Sequence, residues 1–248
     1  MRGRSSSHGR AWLIGAAVGL AAGPAAAQSL SVDLGQGGTV TGQLVRLVLL
    51  ITVLSLAPSI LVMVTSFTRI VVVLAFLRSA LGLQQTPPNA VLISLALFIT
   101  AFVMAPTLEQ AWRDGLAPLL EEEIDAPVAF ERASAPLRAF MLGQVRPKDL
   151  ELFLDISQTQ ALERPEDTPL RALIPAFMIS ELRRAFEIGF LIFVPFLVID
   201  MVVASVLMSM GMMMLPPVMI SLPFKLIFFV LVDGWYMVAG SLVQSYGS

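Results

Sequence analysis

No cysteine occurs in the 248 residues of this chain, and its single histidine is His8. Disulfides, thiol catalysis and thiolate metal sites are therefore excluded, and the commonest nucleophile–base pairs lack their usual members. Neither a metal, a cofactor nor a catalytic residue is expected, so the chain reads as a non-enzyme. Charge is scarce as well. Only 14% of residues are charged and 56% are hydrophobic, against roughly 25% charged for an ordinary soluble domain. With a mean hydropathy of +0.82, the composition is that of an integral membrane protein. Nucleic acid is not expected among its partners.

The opening "MRGRSSSHGRAWLIGAAVGLAAGPAAAQ" has the parts of a cleavable signal peptide. Arg2, Arg4 and Arg10 form a basic start, Trp12 to Ala22 an apolar stretch too short to span comfortably, and Ala25–Ala27 a small-residue site. Cleavage is expected between Ala27 and Gln28, leaving the mature N-terminus outside the cytoplasm. Residues 28–43, with "DLGQGGTV", read as a flexible leader; without a preceding strand these glycines are not a phosphate loop.

Four apolar stretches follow, at about residues 44–64, 89–108, 173–208 and 218–243. Each reaches the ~20 residues needed to cross a bilayer core. Pro195, inside the third, predicts a kink or break. The segments group as a first hairpin region over 44–108, an acidic helical region over 109–172, and a C-terminal hairpin over 173–248. Between Glu109 and Arg171 stand thirteen acidic and seven basic residues, which makes this the aqueous part; with the mature N-terminus outside and the Arg69/Arg78 loop inside, it is expected on the outer, periplasmic side. Thr168 is a candidate N-cap for the helix that follows. The linker "SFTRIVVVLAFLRSALGLQQTPPNA" carries Arg69 and Arg78 nine residues apart, on nearly one helical face. It reads as interfacial, or docked on a partner.

Charges within the apolar stretches carry most of the information. Glu181, Arg183, Arg184 and Glu187 form a formally neutral stripe at i,i+3 and i,i+4 spacings. Each charge at membrane depth costs about 2.5–3.5 kcal/mol. The stripe therefore marks either a solvated face or a contact with neighbouring subunits. Asp200 and Lys225 flank a bend, so a helical hairpin can bring them together as an ion pair, within one subunit or between two. Snorkelling of Lys225 to an interface is the open alternative. Asp233 is a third buried carboxylate or simply a helix break. An aspartyl dyad of Asp200 and Asp233 lacks the Gly-x-Gly-Asp context of intramembrane proteases. An ion-coupled small-solute transporter subunit is the better competitor, weakened by the few spans and the missing paired repeats.

Between the two lone charges runs "MSMGMMMLPP", with Met208, Met210, Met212, Met213 and Met214 in seven positions. Methionine is unbranched and polarizable, and it adapts to irregular or changing neighbours. Gly211 loosens the backbone, and Pro216–Pro217 stop a helix from continuing through. A short Met-lined loop at a hairpin tip is expected. Copies around an axis would form a deformable apolar constriction, which suits a large, variable cargo better than ion selectivity does.

The blocks "TSFTRIVVVLAFLRSALGLQQTPPN", "PAFMISELRRAFEIGF", "VPFLVIDMVVASVLMSMGMMMLPP" and "LPFKLIFFVLVDGW" closely resemble the FliP family of flagellar biosynthetic proteins and its injectisome relatives. The resemblance covers nearly everything after the leader. It implies an all-α, membrane-associated subunit whose helical hairpins assemble into a helical, ring-like export gate of the type III secretion system. It further implies other FliP copies in a ring of about five, FliQ, FliR and further export-apparatus membrane proteins as partners, and unfolded flagellar proteins as cargo. The place implied is the inner membrane within the basal body, with much of the gate on the periplasmic side and apolar helix surface packed on other subunits. The loop Met208–Met214 would be the family's methionine gasket.

Overall fold

The computed structural model describes residues 40–158, 164–212 and 214–247. The expected signal cleavage at Ala27–Gln28 and the methionine Met213 lie outside the described residues. Every regular element among the described residues is helical, with no strand. In chain order these are α1 (Val40–Val64), α2 (Phe67–Ala80) and α3 (Asn89–Ala111), then a π turn (Trp112–Leu116) leading into α4 (Ala117–Leu120). Next come α5 (Ala126–Gln144), α6 (Pro147–Ile156) and a 3-10 turn (Pro165–Asp167). The chain closes with α7 (Leu170–Ser209), α8 (Pro217–Leu231) and α9 (Gly234–Gln244).

Two compact units divide the chain, one ending at Val53 and one running from Leu54 to Ser248. In the described part of the first, α1 carries Thr52, whose hydroxyl donates back to Val48 O at 2.7 Å. All packing below belongs to the second. At its centre lies α2, apolar nearly all round, with Ile70, Val73, Leu74 and Leu77 shut from solvent. A helix hydrophobic on every face must be surrounded. Here α3 and α7 cover it, with Leu92, Ala96 and Ile99 on one side and Ala185 and Phe196 on the other. Gly189 lets α7 approach: a Cβ there would stand 2.6 Å from the Phe76 ring. A second cluster of Met141, Leu173 and Phe177 with Val64 joins α5 to α7.

The 40 residues of α7 run unbroken through Pro175 and Pro195. Of the kink or break expected at Pro195, the break is absent: the helix runs on through it, as apolar helices with packed neighbours tolerate the lost backbone bond. Thr168 does not cap α7 either. Its hydroxyl donates to Pro165 O and closes the preceding 3-10 turn, and Pro169 takes the N-cap place. Among the described residues, two helices are long and apolar enough to cross a membrane, Asn89–Leu120 and Leu170–Ser209. A third span is possible if α8 and α9, bent by 62°, count as one. The bend falls at Asp233, whose φ of +51° places it in the left-handed region. It is exposed, so Asp233 is a helix break and not a buried carboxylate.

Candidate functional site: a methionine hairpin tip and two buried ion pairs

The hairpin of α7 and α8 turns through the methionine stretch. Met208 ends within α7, and Gly211 has φ +77°. Gly211 N–H donates to Met208 O at 3.0 Å and Met212 N–H to Leu207 O at 3.0 Å. This paired closure is a Schellman cap, which requires the left-handed residue that glycine supplies without strain. Pro216 takes the N-cap place and Pro217 the first position of α8, where a missing N–H removes no helical bond. The end of α7 is thus tied by its backbone, while the described methionines of the tip find little to touch. Met208, Met210, Met212 and Met214 are all exposed, Met214 at 98%. Next to the tip the hairpin arms part around a cleft of about 530 Å³, lined by Val198, Val202, Val206, Leu207, Ile220 and Phe224.

Along the same stretch of the hairpin the arms are joined by charge. Lys225 Nζ donates to Asp200 Oδ2 at 2.6 Å and to Ala80 O at 3.2 Å. Ser221, one turn before Lys225 on α8, donates its hydroxyl to the other Asp200 oxygen. The Ala80 carbonyl matters because it belongs to the last residue of α2. A Schellman closure at Gly82, with Leu83 N–H on Arg78 O and Gly82 N–H on Ser79 O, satisfies the carbonyls just before it. The buried ammonium of Lys225 takes Ala80 O, at the negative end of the helix dipole. One cation therefore holds α7, α8 and α2 together within one chain.

The second ion pair is deeper. Arg69 and Glu181, 1% and 0% exposed, bind in a fork: Arg69 Nε donates to Glu181 Oε2 at 3.0 Å, and Nη2 to Oε1. Nη2 also reaches Gln144 Oε1 at 3.1 Å, while Nη1 reaches Ser245 O and Oγ at 3.2 and 3.1 Å. All five N–H donors of the guanidinium are thus used, as burial of a charge demands. Tyr246 lies with its ring 3.8 Å below the guanidinium carbon. Its hydroxyl donates toward Glu181 Oε2 and lies 3.2 Å from Ser66 O. Burial, and next the Glu181 carboxylate, push the Tyr246 phenol far above its ordinary value of 10.0. Glu181 therefore accepts from a neutral tyrosine as well as from arginine. The network gathers α2, α5, α7 and the C-terminal tail at one point.

Two sequence expectations are corrected here. Arg69 is not on an interfacial or partner-facing surface; it points inward and pairs with Glu181. Arg78 binds the loop of its own chain, through Pro87 O at 3.3 Å and Asn89 Oδ1. Nor do the four charges of α7 form one outward stripe. Glu181 turns inward, Arg184 donates to Gln144 Oε1 at 3.0 Å, and only Arg183 and Glu187 face out, paired at 2.9 Å. At 100° per residue Glu181 lies 60° round the helix from Arg184, and that offset is enough to bury it. Gln144, Ser221, Ser245 and Tyr246 escaped sequence reasoning. Ser221 was findable, since it lies four residues before Lys225 and so shares its face. Among the described residues no group of His, Cys, Asp or Glu could hold a metal.

Comparison with known proteins points one way. A model of the FliP family matches residues 50–242. The flagellar biosynthetic protein FliP of Caulobacter vibrioides is 63% identical over 234 residues, 93% of this chain and 88% of that protein. The protein of the same name from Rhizobium meliloti is 55% identical over 229 residues, 90% of this chain and 94% of its own length. That of Bacillus subtilis is 56% identical over 202 residues, 82% and 91% of the two chains.

Proposed function

This chain belongs to the FliP family, and on that footing we propose that it is a core, pore-forming subunit of the flagellar protein export gate. It acts as a structural, non-catalytic part of a conduit for unfolded flagellar proteins across the inner membrane. Its companions are further copies of itself, FliQ, FliR and other membrane proteins of the export apparatus, and much of the assembly stands on the periplasmic side.

The observation that carries the reading is the exposed methionine tip on a rigid stem. Exposed apolar side chains at a hairpin end find few contacts in their own chain, so they are there for something outside it. A backbone fixed by the Schellman closure, with long unbranched side chains reaching from it, suits a seal that keeps its place and changes its shape. Arranged around an axis, such tips exclude water when the conduit is empty and yield when a chain passes. The ion-coupled carrier is disfavoured because Asp200, Lys225, Glu181 and Arg69 bind one another, which leaves none of them free to carry an ion.

Replacing Met212, Met213 and Met214 together by Ala tests the seal. Assembly with FliQ and FliR, read by co-purification, should persist, and cells should become permeable to small solutes through the complex. An unchanged solute barrier in a fully assembled variant would refute the gasket role.

A further inference from the structure

Past the apolar part of α3, the helix carries a second unpartnered face that the seal does not use. Between Asn89 and Glu109 no charged residue occurs, and those twenty residues make about 30 Å of helix, the thickness of a bilayer core. The helix nevertheless continues to Leu120. Trp112, Leu116 and Leu120 therefore project from a segment that begins after the first charge and extends up to ~17 Å beyond it. They are exposed, Trp112 at 54% and Leu120 at 70%.

These three side chains keep to one side of the helix by a local device. In a regular α-helix, positions four apart drift by about 40° per step. The π turn at Trp112–Leu116 is wider, with i→i+5 bonds, and turns that register back. The adjoining side, about 100° round the helix, is spoken for. Ala111 and Gly115 are buried, and a Cβ on Gly115 would stand 2.7 Å from Ala133 on α5. A shallow groove of about 610 Å³ runs beside Trp112, between Leu108, Glu109, Arg113 and Ala117. The surroundings are strongly one-signed. From Glu109 to Arg132 there are seven acidic residues and two basic ones, and Glu121, Glu122, Glu123 and Asp125 are exposed at the turn into α5.

We propose that this face is a docking surface for an amphipathic helix with basic flanks, contributed by another protein outside the lipid. A stripe of a tryptophan and two leucines takes the apolar face of such a helix. The acidic turn at its end selects for Lys or Arg on the flanks and speeds their approach. A two-fold contact with a second copy of this chain is disfavoured, because in it this region would meet its own negative charge.

Trp112 is its own probe. In a background with Trp12 and Trp235 replaced by Phe, the full chain is placed in nanodiscs of zwitterionic lipid and titrated with a helical Leu/Lys peptide of amphipathic register. A saturable blue shift of Trp112 emission is expected, weakened about tenfold by 1 M salt and to a similar extent by reversing Glu121, Glu122 and Glu123 to Lys. These acidic residues are exposed, so the reversal leaves the fold intact, which an unchanged melting temperature verifies. A Leu/Glu peptide that binds equally well, or a titration with no shift, overturns the proposal. So does strong quenching of Trp112 by brominated lipid, which would assign the face to the bilayer, or a shift with protein concentration alone, which would assign it to a second copy.

Discussion

Removing one member of the Arg69–Glu181 pair should be among the most damaging single changes in this protein. In Glu181→Ala the guanidinium loses both acceptors of its fork, and the Tyr246 hydroxyl loses the carboxylate it donates to. Arg69 is 1% exposed, so water does not replace them. Orphaning a buried charge in this way costs about 3–5 kcal/mol. Set against a typical total of about 5–15 kcal/mol, that is a large share of the stability. For a chain of this size, the midpoint of thermal unfolding should fall by about 6–20 °C. Arg69→Met should cost a similar amount, because it leaves Glu181 charged and buried. The double variant Arg69→Met, Glu181→Leu removes both charges and keeps the volume, so it should be more stable than either single variant. The assay is thermal unfolding in one mild detergent, followed by loss of monodisperse protein and by intrinsic fluorescence. Single variants within 1 kcal/mol of the parent, or a double variant worse than both singles, would refute the view that burial makes each charge dependent on the other.

The Asp200–Lys225 brace should respond differently to charge exchange. Reversing either residue alone should abolish co-purification with partner subunits. The exchange Asp200→Lys with Lys225→Asp should restore it only in part, because a carboxylate at 225 faces the Ala80 carbonyl that the ammonium now binds. Full restoration would show the helix-end contact to be dispensable. Gly189→Ala should cost about 1–3 kcal/mol by driving a methyl into the Phe76 ring, and Phe76→Leu should relieve part of that loss in the same melt. The Tyr246 phenol has its folded value raised, so its contribution is fully present below pH ~10 and is lost above it, by about 1.4 kcal/mol per pH unit for this one group. Tyr246→Phe should flatten that alkaline decline in unfolding measured between pH 9 and 11, and a decline of unchanged slope would exclude Tyr246 as its source.

Much of the architecture could be read from hydrophobic runs, because four long apolar stretches with few charges leave helices as their natural form. The methionine tip could be read too, since glycine and paired prolines around it state where one helix stops and the next begins. Partner choice inside the chain was harder. Asp200 and Lys225 flank a single bend, so their encounter follows from hairpin geometry. Arg69 and Glu181 are 112 residues apart in sequence, and nothing local connects them. Periodicity placed Arg69 with Arg78 on one face and Glu181 beside Arg184 on another, yet it carries no information about which face another helix will cover. The tail was invisible for a related reason. Ser245 and Tyr246 follow the last apolar run, where terminal residues commonly fray, and they are instead held by Arg69, which lies 176 residues from Ser245.

The placement of the charges along α7 limits how this helix can sit in its surroundings. Arg183 and Glu187 are paired but largely exposed, at 59% and 60%, and such a pair contributes little in water and is costly in an apolar medium. They therefore mark a level where α7 meets water or the polar groups of another chain. From there to Ser209 the helix has one charged residue, Asp200, over a length of about 33 Å. That length matches an apolar layer, and Asp200 falls inside it, where a lone carboxylate would be expensive. Lys225 and Ser221 remove the expense by meeting both of its oxygens from α8. Neither lipid nor the apolar flanks of neighbouring subunits can hydrate a carboxylate, so Asp200 needs these partners in either layer. A polar level at Arg183–Glu187 and a methionine tip one apolar layer away then become two fixed ends of a single stem. The pair at Asp200 and Lys225 is what allows α8 to return beside α7 through that layer and keep the tip in place.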